Sequence, residues 1–283
     1  MACRFWAFTW VFTWAFVIAA GLACSQAIAA PEQIDIADGN LTLHARLYRP
    51  DGPGPFPAVV ALHDCGGVNQ RPNTEAQLYS EWAKTLVADG FVVLFPDSFG
   101  SRNLGSQCRE HHRTVHAWRE RVGDANAARL WLQKQSYVRG DRVSLLGWAN
   151  GAVTALWTIR LTSVTHHEAA DFRSAVAFYP SCRRLSQSAW SARVPTLILI
   201  GSVDDWTPAA TCQQMVAGAR GRSAHVQIIV YPGAHHEFDR ADSPIRLRTG
   251  LVNTADPSGS AHGGTNPAAR ADAFNRVPQW LAR

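Results

Sequence analysis

Six short apolar runs, at residues 58–62, 91–95, 143–146, 175–178, 196–200 and 225–231, are bounded by Gly, Pro or Asp and alternate with stretches of helical periodicity at 75–89, 115–135, 151–161, 208–219 and 267–281. Runs this short without strict polar alternation suit strands covered on both faces. Strand and helix alternating through one continuous stretch give an α/β fold with a mostly parallel twisted sheet and helices on both faces. Ahead of them, residues 33–36 and 41–47 alternate around Asp38-Gly39, a hairpin signal. No repeat or Pro/Ser linker interrupts the pattern, so residues 30–283 are read as a single domain; residues 250–267, rich in Gly, Ser, Thr and Asn, form the one long irregular stretch. A hydrophobic fraction of 47% against 17% charged residues supports a large core and excludes disorder, collagen and coiled coil. The formal charge is +5, but only Lys84 and Lys134 are lysines and the arginines are scattered. A phosphate backbone needs a concentrated basic stripe, so nucleic acid is excluded as a partner.

Residues 1–29 stand apart. Arg4 is their only charge, residues 5–23 are almost wholly apolar, and Ala27-Ile28-Ala29 supplies a small-x-small cleavage pattern. This reads as a signal peptide, making the mature chain exported, periplasmic or secreted, with no stable membrane association after cleavage. An uncleaved anchor is the competing reading, since such a segment is long enough to span a bilayer. Cys65, Cys108, Cys182 and Cys212 remain beyond the leader. An even set in an exported chain points to disulfides, and four cysteines allow three pairings.

In a sheet of this kind ligands bind beyond the carboxyl ends of the strands, so the residues just past each run matter most. After 143–146 comes Gly147-Trp148-Ala149-Asn150-Gly151, two glycines flanking a central position between strand and helix. That is the pattern of a nucleophile elbow, whose middle residue should be Ser, Cys or Asp. Here it is Ala149. Past 196–200 lies the acidic turn Gly201-Ser202-Val203-Asp204-Asp205-Trp206-Thr207-Pro208, and past the last run lies Tyr231-Pro232-Gly233-Ala234-His235-His236-Glu237-Phe238. Nucleophile position, acid and histidine thus follow the chain order of an α/β-hydrolase. The histidine would take the nucleophile's proton, and the carboxylate would fix its tautomer. Past 58–62, His63-Asp64-Cys65-Gly66-Gly67 forms a loop able to aim a backbone N–H at a developing oxyanion, so the donors are the N–H groups of Cys65 and Asn150. Asp204 or Asp205 could instead cap the following helix. What weighs against that is that all four strand ends fall in the order and pattern one mechanism requires, Ala149 excepted.

Taken together, these motifs and Pro96-Asp97-Ser98-Phe99-Gly100 resemble the dienelactone hydrolase family from about Ile34 to the C-terminus. The resemblance implies an α/β-hydrolase sheet of about eight strands, little or no lid, and hydrolysis of carboxylic ester or lactone bonds in small-molecule substrates without metal or organic cofactor. It selects Asp204 over Asp205 as the triad acid and His236 over His235 as the base. Ala149 departs from the family's Cys or Ser nucleophile. The reading adopted is an inactivating Ser→Ala change; the alternative is a naturally non-catalytic ligand-binding protein on the same fold, and a third option is another nucleophile, namely Cys65, Ser98 or a water activated by His236. Drift after loss of function should erode Asp204, His236 and the oxyanion loop together, yet they persist.

Trp148 and Trp206, beside the nucleophile position and the acid, suggest an aromatic wall around substrate. Asp64 and Arg102 are the polar substrate candidates, Arg102 because a guanidinium forks onto a carboxylate. On the implied fold, Cys65 and Cys108 follow one adjacent pair of strands and Cys182 and Cys212 another, so the expected disulfides are Cys65–Cys108 and Cys182–Cys212. His112 and His116, with His111 beside them, have the i, i+4 spacing of a helical zinc pair, but no HExxH or CxxC accompanies them; they are read as a solvated helix face, and no metal site is assigned.

Overall fold

The computed structural model describes residues 30–71, 74–161 and 169–283; the expected signal peptide lies outside the described residues. Eight strands form one sheet: β1 (Glu32–Asp38), β2 (Leu41–Tyr48), β3 (Phe56–Leu62), β4 (Val92–Pro96), β5 (Val138–Trp148), β6 (Ala175–Phe178), β7 (Thr196–Gly201) and β8 (Val226–Tyr231). Their order is β1-β2-β4-β3-β5-β6-β7-β8. The β1–β2 hairpin is antiparallel from Glu32↔Leu47 to Asp38↔Leu41, turning at Gly39, whose φ of +59° suits glycine. β2 is antiparallel to β4, and every remaining pair is parallel. Every residue of β4, β6 and β7 is buried, which is why their sequences are continuous apolar runs.

Helices α1 (Gln77–Ala88), α2 (Glu120–Gln133), α3 (Asn150–Thr158), α4 (Arg183–Ser186), α5 (Ala209–Ala219) and α6 (Pro267–Leu281) complete the fold. The step β3–α1–β4 moves one way along the sheet, while β4–α2–β5, β5–α3–β6 and β7–α5–β8 move the other. Because such crossovers are right-handed, α1 lies on one face and α2, α3 and α5 on the opposite one; α6 packs against α1. The direction reverses at β3, so the helices after β3 and β5 diverge to opposite faces and a crevice opens between those two strand ends. The residues that follow them are the 63–67 loop and Ala149.

Three elements differ from expectation. β5 extends five residues before residue 143, through polar Arg139–Arg142, because it pairs with β3 at Phe56↔Val138 across a register shift. Helix α2 begins at Glu120 rather than 115: the Glu120 carboxylate accepts the His116 backbone N–H (2.8 Å), so the preceding chain folds back on the first turn. The irregular stretch 250–267 is partly ordered, with Ala261–Gly263 pairing antiparallel with Arg246–Arg248. Leu251 and Ala261 from this stretch are buried in a small cluster with Cys65 and Trp206.

Candidate active site

Ala149 sits at φ +47°, ψ −107°, a conformation that costs a non-glycine residue about 1–3 kcal/mol and persists only where the surroundings enforce it. Its N–H donates to Phe178 O (3.0 Å) and its carbonyl accepts from Val153 N (3.0 Å). A Cβ on Gly147 would stand 2.4 Å from Gly151 O, and one on Gly151 would stand 2.0 Å from Leu62 O. The glycines therefore let β5, α3 and the end of β3 meet at backbone contact, with residue 149 held above the sheet edge. Gly151→Ala is expected to destabilise the protein by at least about 3 kcal/mol, since the obstacle is backbone and cannot swing aside. Urea unfolding measures this; an unchanged midpoint would refute the close-approach argument.

Asp204 follows β7. Its Oδ1 accepts the N–H groups of Trp206 (3.0 Å) and Thr207 (2.7 Å), and its Oδ2 faces His236 Nδ1 at 2.8 Å and the Thr207 hydroxyl at 3.0 Å. Asp204 thus closes an Asx turn and meets the histidine, but it does not cap α5, whose N-cap position is Pro208 with no side-chain cap. The His236 ring is buried between Tyr179 and Trp206, with centroids 4.5 and 4.6 Å away. With Nδ1 donating to Asp204, Nε2 is the nitrogen left to take a proton. Asp205 turns away and meets His262 (Oδ2 to Nδ1, 2.7 Å).

Behind the 63–67 loop lies a buried polar frame. His63 Nε2 accepts Ser98 N–H (3.2 Å), so its Nδ1 donates to Asp64 O (2.8 Å). Burial, and then the Arg121 charge, hold its pKa well below the ordinary value. Arg121 has no exposure; it donates to His63 O (2.8 Å), to Ser98 Oγ (3.3 Å) and to Asn150 Oδ1, and burial lowers its own pKa to about 10. One guanidinium thereby ties the β3 loop to the first residue of α3, the two segments expected to supply oxyanion donors. Because the folded state keeps His63 neutral while the unfolded state protonates near pH 6.5, the unfolded state binds more protons below that pH. Stability should therefore fall as pH drops through 6.5, by up to about 1.4 kcal/mol per unit from this residue. A His63→Gln variant unfolded in urea at pH 7 and pH 5 should show a smaller loss than the parent; an equal loss would refute the assignment.

A cavity of about 840 Å³ joins Cys65, Ala149, Asn150, Trp206, Thr207 and His236. Not every expected residue reaches it. Trp148 is wholly buried, stacked between Phe95 and Phe178 with its Nε1 donating to Asp239 (2.9 Å); it is core, because it precedes the elbow on β5 and packs into the sheet's aromatic cluster. Arg102 forks onto the fully buried carboxylate of Asp124 (2.7 and 3.0 Å) and donates to Ser98 O, which occupies the guanidinium. Asp64 accepts Gly66 N–H (2.6 Å) and pairs with Arg240 (3.1 Å), shaping its own loop. Cys65 is joined to Cys108 (Cα–Cα 4.9 Å) and Cys182 to Cys212 (5.0 Å), so Cys65 has no free thiol. Ser98 is fully buried and hydrogen-bonded by Arg121, and neither it nor Asp64, Arg102 or Trp148 is among the residues lining the cavity.

The rest of the wall comes from segments to which the sequence reading gave no role in a site. His111, His112, Arg113 and His116 lie in irregular chain ahead of α2, not on a helix, and line the cavity with Arg183 and Arg184 and with residues of the 251–259 stretch. Arg184 stacks over the Trp118 ring at 4.2 Å. The one available signal was the His111/His112/His116 cluster, but its i, i+4 spacing pointed to a solvated helix face, whereas these residues are irregular chain on the cavity wall.

A strained elbow, a buried His–Asp pair and the β3 loop at the topological switch define an α/β-hydrolase-type protein. More narrowly, the chain belongs to the dienelactone hydrolase family, whose model matches residues 43–283. A Bradyrhizobium protein named "probable 2-oxo-3-(5-oxofuran-2-ylidene)propanoate lactonase" is 24% identical over 237 residues, 80% of this chain and 92% of that one. Among solved structures, a dienelactone hydrolase-like promiscuous phosphotriesterase from metagenomic libraries shares 18% identity at a TM-score of 0.68, covering 90% of this chain and 98% of the other. The dienelactone hydrolase of Anabaena variabilis shares 14% at a TM-score of 0.60, covering 90% and 98%. At these identities the two structures establish likeness of fold.

Proposed function

We propose that this chain carries the site of a carboxylic-ester or lactone hydrolase working through a nucleophile–His236–Asp204 triad, with the nucleophile removed by a Ser→Ala change at position 149. The carrying observation is the strain at Ala149: a residue without chemistry occupies φ +47° between two glycines that exist to hold it there, in a cavity shared with His236. Backbone N–H groups of Cys65 and Asn150 serve as the oxyanion donors. Family membership and a lactonase among the relatives support the bond type. Arg113, Arg183 and Arg184 outnumber Glu110 and Asp256 in the cavity wall, which favours a substrate bearing a carboxylate and moves that role from Arg102 to these arginines. We assign residues 30–283 to one domain and residues 1–29 to a signal peptide, and the two disulfides support an exported location. Among the described residues, no helix is long and apolar enough to cross a membrane.

A naturally non-catalytic ligand-binding protein on this fold is the second reading, favoured by the retention of the cavity around Ala149; the residue encoded at 149 in the native gene separates the two. The site itself is tested by an organophosphorus probe such as paraoxon. Ala149→Ser should gain one phosphoryl adduct, mapped by mass spectrometry to residue 149, while the parent chain gains none there. A folded Ala149→Ser protein that stays unmodified would overturn the reading.

A further inference from the structure

Beside the triad, on the chain neighbours of Asp204 and His236, stands a second group of donors. Asp205, His235 and His262 each present a ligand atom, all within 4.8 Å of one another. Asp205 and His262 already touch: Nδ1 meets Oδ2 at 2.7 Å, and the His262 backbone N–H donates to Oδ1 at 2.8 Å. The His235 ring centre lies 5.4 Å from that of His262, and its Nδ1 is buried with no hydrogen-bond partner. A buried ring nitrogen left in this way is costly and calls for an explanation. The catalytic scheme supplies none, because none of the three residues lines the substrate cavity.

The chemistry of the set is selective. Two imidazoles and one carboxylate suit zinc and its neighbours among the divalent transition metals, whereas calcium and magnesium require oxygen donors. A tetrahedral ion with bonds of about 2.0–2.1 Å holds its donors about 3.3 Å apart. The 2.7 Å contact would open and the wider ones would close, movements within the reach of side-chain rotation. The ion would displace the proton shared by Asp205 and His262. Both of these side chains are about two-fifths exposed, at 43% and 41%, so the site opens to solvent and leaves a fourth position for water. The ligands also come from three separate segments: the turn after β7, the loop after β8 and the Ala261–Gly263 strand. That strand is docked on the base itself, since Gly263 bridges His236 and Gly264 N–H donates to His236 O (3.0 Å).

We propose that Asp205, His235 and His262 form a three-ligand site for a zinc-class divalent transition metal, outside the substrate cavity, whose ion clamps the turns carrying Asp204 and His236 to the Ala261–Gly263 strand. It is a structural ion, and the site does not depend on whether residue 149 is a nucleophile.

The test uses the full chain stripped of metal with a chelator. Titration with ZnCl₂ in a calorimeter should show one ion per chain, with a melting temperature that climbs with zinc concentration. CoCl₂ should give the visible absorption of a four-coordinate cobalt centre. His235→Ala removes a nitrogen that has no hydrogen-bond partner, so the variant should fold with an unchanged metal-free melting temperature and yet bind zinc at least tenfold more weakly, without the cobalt bands. His262→Gln should weaken binding in the same way. Absence of stoichiometric uptake at micromolar zinc overturns the proposal. So does uptake that survives both substitutions, which would place the ion on other histidines.

Discussion

Ala149→Ser is expected to raise hydrolysis of a p-nitrophenyl acyl ester from the uncatalysed background by a factor on the order of 10⁴ or more, the scale of loss when a hydrolase nucleophile is deleted from an otherwise intact triad. The reason is geometric. The backbone at 149 is fixed by the Phe178 and Val153 hydrogen bonds and by the glycine contacts at 147 and 151, so a hydroxyl added to its Cβ has only χ1 to search. His236, the proposed base, is equally constrained, with its ring sandwiched by Tyr179 and Trp206 and its Nδ1 held by Asp204. On the proposed reading, a serine there enters a cavity in which His236 already meets the Asp204 carboxylate, so little reorganisation of that pair is required. Ala149→Cys should also gain activity, since a thiolate beside an imidazole is a strong nucleophile. Both variants must be shown to be folded by matching the parent's denaturation midpoint. If both fold and both stay at background, the hydrolase reading of this site is lost and the ligand-binding reading stands.

What could be read from the chain, and what could not, follows from how far each signal acts. Strands β4, β6 and β7 are legible because burial on both faces leaves an unbroken apolar run; the polar N-terminal half of β5 carries no such mark and is strand only because β3 lies beside it. The strained turn at Ala149 and the meeting of Asp204 with His236 follow from short local patterns, two glycines around a strand-to-helix turn and polar turns just past two strands, which is why these positions stand out in the chain. Trp148 and Trp206 look alike in sequence, each beside a triad position, yet one is core and the other is cavity wall. The difference is set by which way a strand residue faces and by the Leu251–Ala261 segment that folds over Trp206. Arg102 has the right chemistry for a substrate carboxylate, but Asp124, twenty-two residues on, takes its fork first. Cavity residues from 251–259 are irregular in sequence and structure alike, while 110–118 carry a helical spacing that the structure does not use; tertiary contacts and the Cys65–Cys108 link order both segments, and no local period announces such contacts.

In the Ala149→Ser background, Asp204→Asn should remove about 10⁴ of the restored kcat while leaving KM nearly unchanged, because an isosteric amide preserves shape but not the imidazole's tautomer. Asp204 Oδ2 accepts at once from His236 Nδ1 and from the Thr207 hydroxyl, while Oδ1 accepts two backbone N–H groups. The two N–H groups claim one side of the residue, so Asn must place its carbonyl oxygen there and present NH₂ to His236. Facing a donor, Nδ1 becomes the acceptor, the ring proton moves to Nε2, and the nitrogen that should take the serine proton is already occupied. Thr207 separates this effect from simple loosening of the turn. Thr207→Val removes the hydroxyl's bonds to Asp204 and Tyr179 O and its longer 3.2 Å contact with His236 Nδ1, keeps both backbone N–H groups, and leaves the 2.8 Å Asp204 contact to fix the tautomer, so its cost in kcat should stay within about tenfold, the scale of one lost hydrogen bond. In metal-free protein, the double variant Ala149→Ser/Asp205→Asn should retain kcat, since Asp205 faces His262 rather than His236. A large loss with Asp205→Asn and a small one with Asp204→Asn would reverse the assignment of the acid.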